Sequence, residues 1–156
     1  MAEGEKQRDV QPLNVLVDTN VAIDWLNDRK PWSDEARPLW EGREMGQVNL
    51  YLPASVLTDI FYILRKSLGN NAAKSAVMRC VAVCGLLPID ATVIERALSL
   101  PGADFEDNVQ IACSLIYPIH VIVTRNPDDF AWTLGVTVPA LNPRDIERYL
   151  PPASTS

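Results

Sequence analysis

The sequence predicts an α/β sandwich built around a mainly parallel sheet, and three observations carry that expectation. Short apolar, β-branched runs such as LNVLVD (13–18) and IHVIVT (119–124) lack the alternation of a half-exposed strand, which marks strands buried on both faces. Between such runs stand longer segments with apolar residues three and four apart, the pattern of helices that cover a sheet. No internal repeat and no linker divides the 156 residues. One domain over 13–150 is therefore expected, between a polar lead (1–12) and a tail (151–156), both flexible.

In chain order, LNVLVD is the first strand and TNVAIDWL a short helix, stopped by Asn27-Asp28 and then Pro31. Asp34 to Glu44 reads as one helix with Ala36, Leu39 and Trp40 inward, ending near Gly46. VNLYLP (48–53) is the second strand. Ser55 is a good N-cap for an amphipathic helix on which Val56, Ile60, Ile63 and Leu64 share a face and which stops at Gly69. Asn71 to Val83 is a further helix, LLPID (86–90) an extended piece, and Thr92 to Leu100 a helix ended by Pro101-Gly102. Asp104 to Ile116 is helical up to Pro118, IHVIVT is a buried strand, and VTVPAL (136–141) is a short one. A last helix starts at Asn142 and covers Pro143 to Leu150.

Composition narrows the chemistry. With 14 Lys and Arg against 20 Asp and Glu, the net charge is −6, so no basic nucleic-acid stripe dominates the surface. No apolar run approaches the ~20 residues of a membrane span, and the lead lacks the apolar stretch of a secretory signal. A cytoplasmic protein without a membrane partner is expected. Cys80, Cys84 and Cys113 sit in apolar segments and read as buried small hydrophobes, with neither disulfide nor zinc spacing. The lone histidine, His120, cannot supply a Ser-His-Asp or Cys-His scheme by itself. Carboxylates are left to carry the chemistry.

Open parallel sheets bind ligands at the carboxyl ends of their strands. Asp18 closes the first strand, and Thr124-Arg125-Asn126 closes IHVIVT on the same edge. Asp59 lies one turn into the helix after the second strand, amid Leu57, Ile60 and Phe61, and Asp107 lies in the first turn of its helix. Acids gathered at one edge repel unless a divalent cation sits between them, and carboxylate oxygens suit Mg²⁺ or Mn²⁺. Each position also has a structural reading. Asn20 is either an N-cap or a site residue, and Asp24, one turn later, is expected to be exposed. Asp104 and Asp107 have the spacing of a helix-capping pair, which leaves cap and site both open. Glu106, one residue from each, is expected to point elsewhere.

VLVDTNVAIDWL, PASVLTDIFYILRK, DFEDNVQIACSL and VIVTRNPDDF, in this order, resemble the motifs of the PIN-domain (PilT N-terminus-like) family, in its VapC-type toxin branch. The resemblance implies a three-layer α/β/α fold and a Mg²⁺- or Mn²⁺-dependent endoribonuclease acting on single-stranded RNA. It also brings an antitoxin protein as a partner. It places the family's first acid on Asp18, with Asn20 beside it, the second on Asp59 where Glu is usual, and the third on Asp107, with Asp104 one turn earlier. The fourth, Asp in many members, falls on Asn126, with Asp128 or Asp129 in position to compensate. Thr19, Ser55 and Thr124 either orient water or phosphate or are cap and strand-end hydroxyls. Arg125, Arg65 and Lys66 either meet the RNA backbone or are solvated cations. The departures at Asp59 and Asn126 define a second reading, a catalytically weak or inactive module that binds RNA or a protein. A haloacid-dehalogenase-type phosphotransferase is set aside, because the second Asp it requires is Asn20 here. Trp25, Trp32, Trp40, Phe61 and Tyr62 concentrate aromatics over 20–64, either as core or as a homodimer or antitoxin surface.

Overall fold

A computed structural model describes residues 10–133 and 138–153; parts of both expected flexible ends, and the first two residues of VTVPAL, lie outside the described residues. The strands are β1 (Leu13–Val17), β2 (Val48–Pro53), β3 (Gly85–Leu87), β4 (Val121–Val123) and β5 (Ala140–Leu141). They form a five-stranded sheet in the order β3-β2-β1-β4-β5, with every pairing parallel. The helices are α1 (Thr19–Leu26), α2 (Trp32–Glu35), α3 (Arg37–Glu44), α4 (Val56–Leu68), α5 (Asn70–Val83), α6 (Ala91–Leu98) and α7 (Phe105–Ile116). Two 3₁₀ segments, Pro127–Thr133 and Pro143–Tyr149, complete the chain.

The strands have no polar face because helices cover both sides. Val15 and Val17 of β1 and Val121 and Val123 of β4 pack into one core with residues of α1, α3, α4 and α5. Leu16 and Ile122, pointing the other way, pack with Val93 and Ala97 of α6 and Ile111 to Cys113 of α7. This is the three-layer α/β/α sandwich the sequence leads one to expect. The cysteines divide between the cores, Cys80 and Cys84 in the first and Cys113 in the second, all as buried free thiols. Burial pushes Cys80 up to about 11 and Cys84 and Cys113 each up to about 12.

From β1 the chain crosses to β2 on one side, and later returns to lay β4 on the other. That reversal opens a crevice beyond the carboxyl ends of β1 and β4. The two ends are tied together there by the Asp18 N–H donating to the Val123 carbonyl at 2.9 Å.

The structure corrects several expectations. The helix expected over 34–44 is two, broken at Ala36: Pro38 has no N–H to give the carbonyl one turn back, so α3 restarts with Pro38 in its first turn. The last helix is 3₁₀ over Pro143–Tyr149, a short run capped by Asn142 Oδ1 accepting from Arg144 N–H at 3.2 Å. Asn20 is not a cap but an exposed residue inside α1, because Val21 and Ala22 N–H both bond the Asp18 carbonyl, making Asp18 the N-cap. Ser55 stands at the N-cap of α4 with helical backbone and no side-chain cap bond. Asp24 is 1 % exposed rather than solvated.

Candidate active site

Asp18 leaves β1 with extended backbone (φ −65°, ψ 145°), and its side chain caps nothing. Both oxygens are held by other elements. Gln110 Nε2 from α7 donates to Oδ1 and Thr124 Oγ1 from the end of β4 donates to Oδ2, each at 2.8 Å. Neutral donors orient the carboxylate without cancelling its charge. Asp18 therefore presents a fixed anion at the switch-point crevice.

Asp104 is the N-cap of α7, its Oδ1 accepting from Asp107 N–H at 3.0 Å, as the spacing predicts. Asp107 is half-buried, and its carboxyl is pushed up from 3.8 to about 7. Burial is the first cause, followed by the charges of Asp104, Asp18, Asp129 and Glu106. The charges acting on Asp107 thus come from the end of β1, from α7 and from the 3₁₀ segment after β4. Asp104, Asp107 and Asp129 line one recess of about 640 Å³ there, floored in part by Asn108. The Asn108 side chain donates to the Gly102 carbonyl at 2.9 Å, while its own Oδ1 is buried without a partner.

Among the described residues, no group of three or more His, Cys, Asp or Glu side chains is placed to hold a metal ion. The fit to Mg²⁺ or Mn²⁺ is one of donor chemistry alone: Asp104, Asp107 and Asp129, which line the recess, carry the hard oxygen donors such ions take.

Glu106 faces away from the recess of Asp104 and Asp107 but is not free: Thr19 Oγ1 donates to its Oε1 at 2.7 Å, joining the start of α1 to the start of α7. Glu106 and Gln110 share a second recess of about 220 Å³ with Ser55 and Asp59. Asp59 is exposed there and is not among the acids acting on Asp107. The spacing carries the signal for Gln110: four residues after Glu106 and three after Asp107, it lies on their side of the helix.

Beyond β4, Asn126 is exposed, its N–H donating to Thr124 Oγ1 at 3.2 Å and its carbonyl accepting from Asp129 N–H at 3.0 Å. Asp128 is exposed and is not among the acids acting on Asp107, whereas Asp129 is. Arg125 turns towards Asp24, its Nε 3.2 Å from Oδ2, with Arg29 Nη1 3.5 Å from Oδ1. Neither Asp24 oxygen meets hydrogen-bond geometry, so this is charge pairing rather than a bidentate bond. Both guanidiniums lie over the Trp32 ring, at 4.4 and 5.6 Å. Burial pushes the Asp24 carboxyl up, while Arg125 and Arg29 pull it down. Arg125→Ala leaves the buried charge with Arg29 alone, and the expected loss is about 2–3 kcal/mol in urea unfolding at pH 7.5. The loss shrinks as pH falls, because burial raises the Asp24 carboxyl and the folded state takes up its proton sooner than a free carboxylate does.

The remaining candidates lie elsewhere. His120 Nδ1 accepts from Asn14 N–H at 2.8 Å, a strand-start contact. Arg65 and Lys66 are in the last turn of α4, away from Asp59 near its start, with Arg65 over the Tyr62 ring at 4.8 Å.

The sequence model described as PIN domain matches residues 14–128. The chain belongs to the PIN domain family. PIN domains are, as a family, nucleases that typically use divalent metals. Comparison with curated proteins finds no match for this PIN domain. Among solved structures it resembles VapBC2 of Rickettsia felis bound to a promoter DNA fragment (12 % identity, TM-score 0.63, covering 83 % of this chain and 100 % of that one). It also resembles the DNA-bound VapBC of Salmonella typhimurium (16 %, TM-score 0.63, covering 84 % and 98 %). A third likeness is VapC20 of Mycobacterium tuberculosis, a sarcin-ricin-loop-cleaving toxin (18 %, TM-score 0.60, covering 80 % and 96 %). At such identities the likeness is one of fold, and the PIN domain's own residues must carry its chemistry. Among the described residues, no helix is long and apolar enough to cross a membrane.

Proposed function

We propose that the chain is a Mg²⁺- or Mn²⁺-dependent endoribonuclease of the VapC toxin type, cutting single-stranded RNA in the cytoplasm and paired with an antitoxin. The observation that carries this reading is Asp18, aimed by Gln110 and Thr124 at the end of β1, together with Asp104, Asp107 and Asp129 lining one recess at the start of α7. Asp18, Asp104 and Asp107 are the proposed ligands; the family resemblance would add Asp59, which the structure sets in the neighbouring recess. Bound there, the ion supplies Lewis acidity towards a phosphodiester oxygen and the attacking water. The protein's own groups set the geometry: Gln110 and Thr124 aim Asp18, Asp104 fixes the first turn of α7, and Thr19 holds Glu106. Arg125, fixed over Trp32, is the cation nearest in sequence to Thr124 and the proposed contact for the RNA backbone. Exposed Tyr62 and Ile63 on α4 support a protein partner, an antitoxin or a second copy.

The test is cleavage of a labelled single-stranded RNA by the purified chain. Cutting with Mn²⁺ and none with chelator is the expected result. Intact RNA with folded protein and Mn²⁺ overturns it and leaves the second reading, a PIN-fold module that binds RNA or protein without cutting. Asn126, which carries no charge, favours that second reading; Asp129, which acts on Asp107, favours the first. In calorimetric titration with Mn²⁺, Asp129→Asn is expected to weaken binding about tenfold or more, while Asn126→Asp strengthens it. Unchanged binding in both variants removes both residues from the site.

A further inference from the structure

The smaller recess, beside the acid cluster and bounded by the start of α4, by α6 and by α7, has a composition unlike the larger one. Ile89, Ile94 and Val109 give it apolar walls, and Phe105, 47 % exposed, adds an aromatic face. Its polar groups are the carboxylates of Asp59 and Glu106, the Gln110 amide and the Ser55 hydroxyl, so acceptors outweigh donors. Thr19 holds one oxygen of Glu106 at 2.7 Å, which orients the carboxylate and leaves further lone pairs open. Gln110 is 1 % exposed; its Nε2 is engaged by Asp18, and its Oε1 is buried with no partner. The Gln110–Asp18 bond, 2.8 Å long, ties this recess directly to the candidate catalytic acid.

Acid-lined and largely apolar, the recess repels phosphate and suits a flat group that brings donors. Its volume, about 220 Å³, is below that of drug-sized pockets and is matched to a base rather than a whole nucleotide. Among the bases, only guanine presents two adjacent donors, N1–H and the 2-amino group, on its pairing edge. Adenine and cytosine pair a donor with an acceptor, and uracil sets one donor between acceptors. We infer that this recess is a guanine-binding subsite for an unstacked base of the substrate strand, with Glu106 accepting from both donors and Phe105 against the ring. Unstacked bases read on their pairing edges beside aromatic side chains are the usual route to sequence preference on single strands. The assignment deepens the nuclease reading above and rests on it for the identity of the strand.

The test measures fluorescence anisotropy of labelled pentauridylates carrying a central guanine, hypoxanthine or uracil, with Ca²⁺ in place of Mn²⁺. Guanine is expected to bind about tenfold more tightly than uracil, and hypoxanthine, which lacks the 2-amino donor, to lose most of that gain. Ile94→Trp, which fills the recess, and Glu106→Gln, which puts an amide donor opposite the base, should each erase the preference, with melting temperature confirming the fold. Equal affinities, no binding, or a preference intact in Ile94→Trp overturns the subsite. Cleavage in Mn²⁺ separates the two claims. A protein that cuts without regard to guanine loses only the subsite, and one that selects guanine yet leaves RNA intact loses only the nuclease reading.

Discussion

Asp107→Asn is expected to stabilise the protein at pH 8 in the presence of chelator, by about 2 kcal/mol, or roughly 4–8 °C in melting temperature. The sign follows from where the proton sits. In the folded state the Asp107 carboxyl titrates at about 7 instead of 3.8, because burial and the neighbouring acids disfavour its charge. Between those values the folded chain holds a proton the unfolded chain has released, so stability falls as pH rises through that window. Above about pH 7 the full penalty is present, and below 3.8 it is absent. The full rise would be worth about 4 kcal/mol, halved here because Asp107 is partly open to solvent. An isosteric amide removes the charge, so the gain should vanish near pH 4. Mn²⁺ should raise the melting temperature of the unaltered chain more than that of the variant, since binding to the native state stabilises by mass action. A lower melting temperature for Asp107→Asn at pH 8 would show that the acids do not strain one another.

Asp18→Asn carries the largest expected effect on activity, a fall in RNA cleavage of at least about a hundredfold, corresponding to several kcal/mol of lost charge stabilisation. The fold should tolerate it. An asparagine keeps its Oδ1 towards Gln110 Nε2 and can donate its Nδ2 to the Thr124 hydroxyl, which now accepts. Melting temperature should move by only a few degrees, and removing this charge should bring the Asp107 carboxyl down. Cleavage at the unaltered rate in folded Asp18→Asn would take this residue out of the chemistry.

Much of this fold can be read before any coordinates. Apolar runs with no polar face, such as Leu13–Val17 and Val121–Val123, leave parallel strands covered on both sides as the simplest solution. The capping pair Asp104–Asp107 is likewise a local matter of spacing, and the structure realises it. What escaped the sequence is non-local. Asp24 lies on a short helix with few periodic cues, and its burial depends on Arg125, about a hundred residues away, crossing to meet it over Trp32. Glu106 faces away from its neighbours as helical spacing requires, but its bond to Thr19 at the start of α1 is a tertiary meeting that no local spacing announces. The resemblance assigned Asp59 to the acid cluster, yet the structure sets it in the smaller recess with Glu106.

The distribution of the thiols has a use of its own. Cys80 and Cys84 occupy one core and Cys113 the other, and burial holds all of them in the unreactive protonated form at neutral pH. An alkylating reagent can therefore reach them only when the surrounding layer opens. Peptide-resolved labelling over time then reads two clocks in one molecule, Cys80 and Cys84 for the layer of α1, α3, α4 and α5, and Cys113 for the layer of α6 and α7. Matching rates would mean the sandwich opens as a unit. A faster Cys113 would mean that the helix carrying Asp107 and Gln110 detaches from the sheet while the opposite face stays closed.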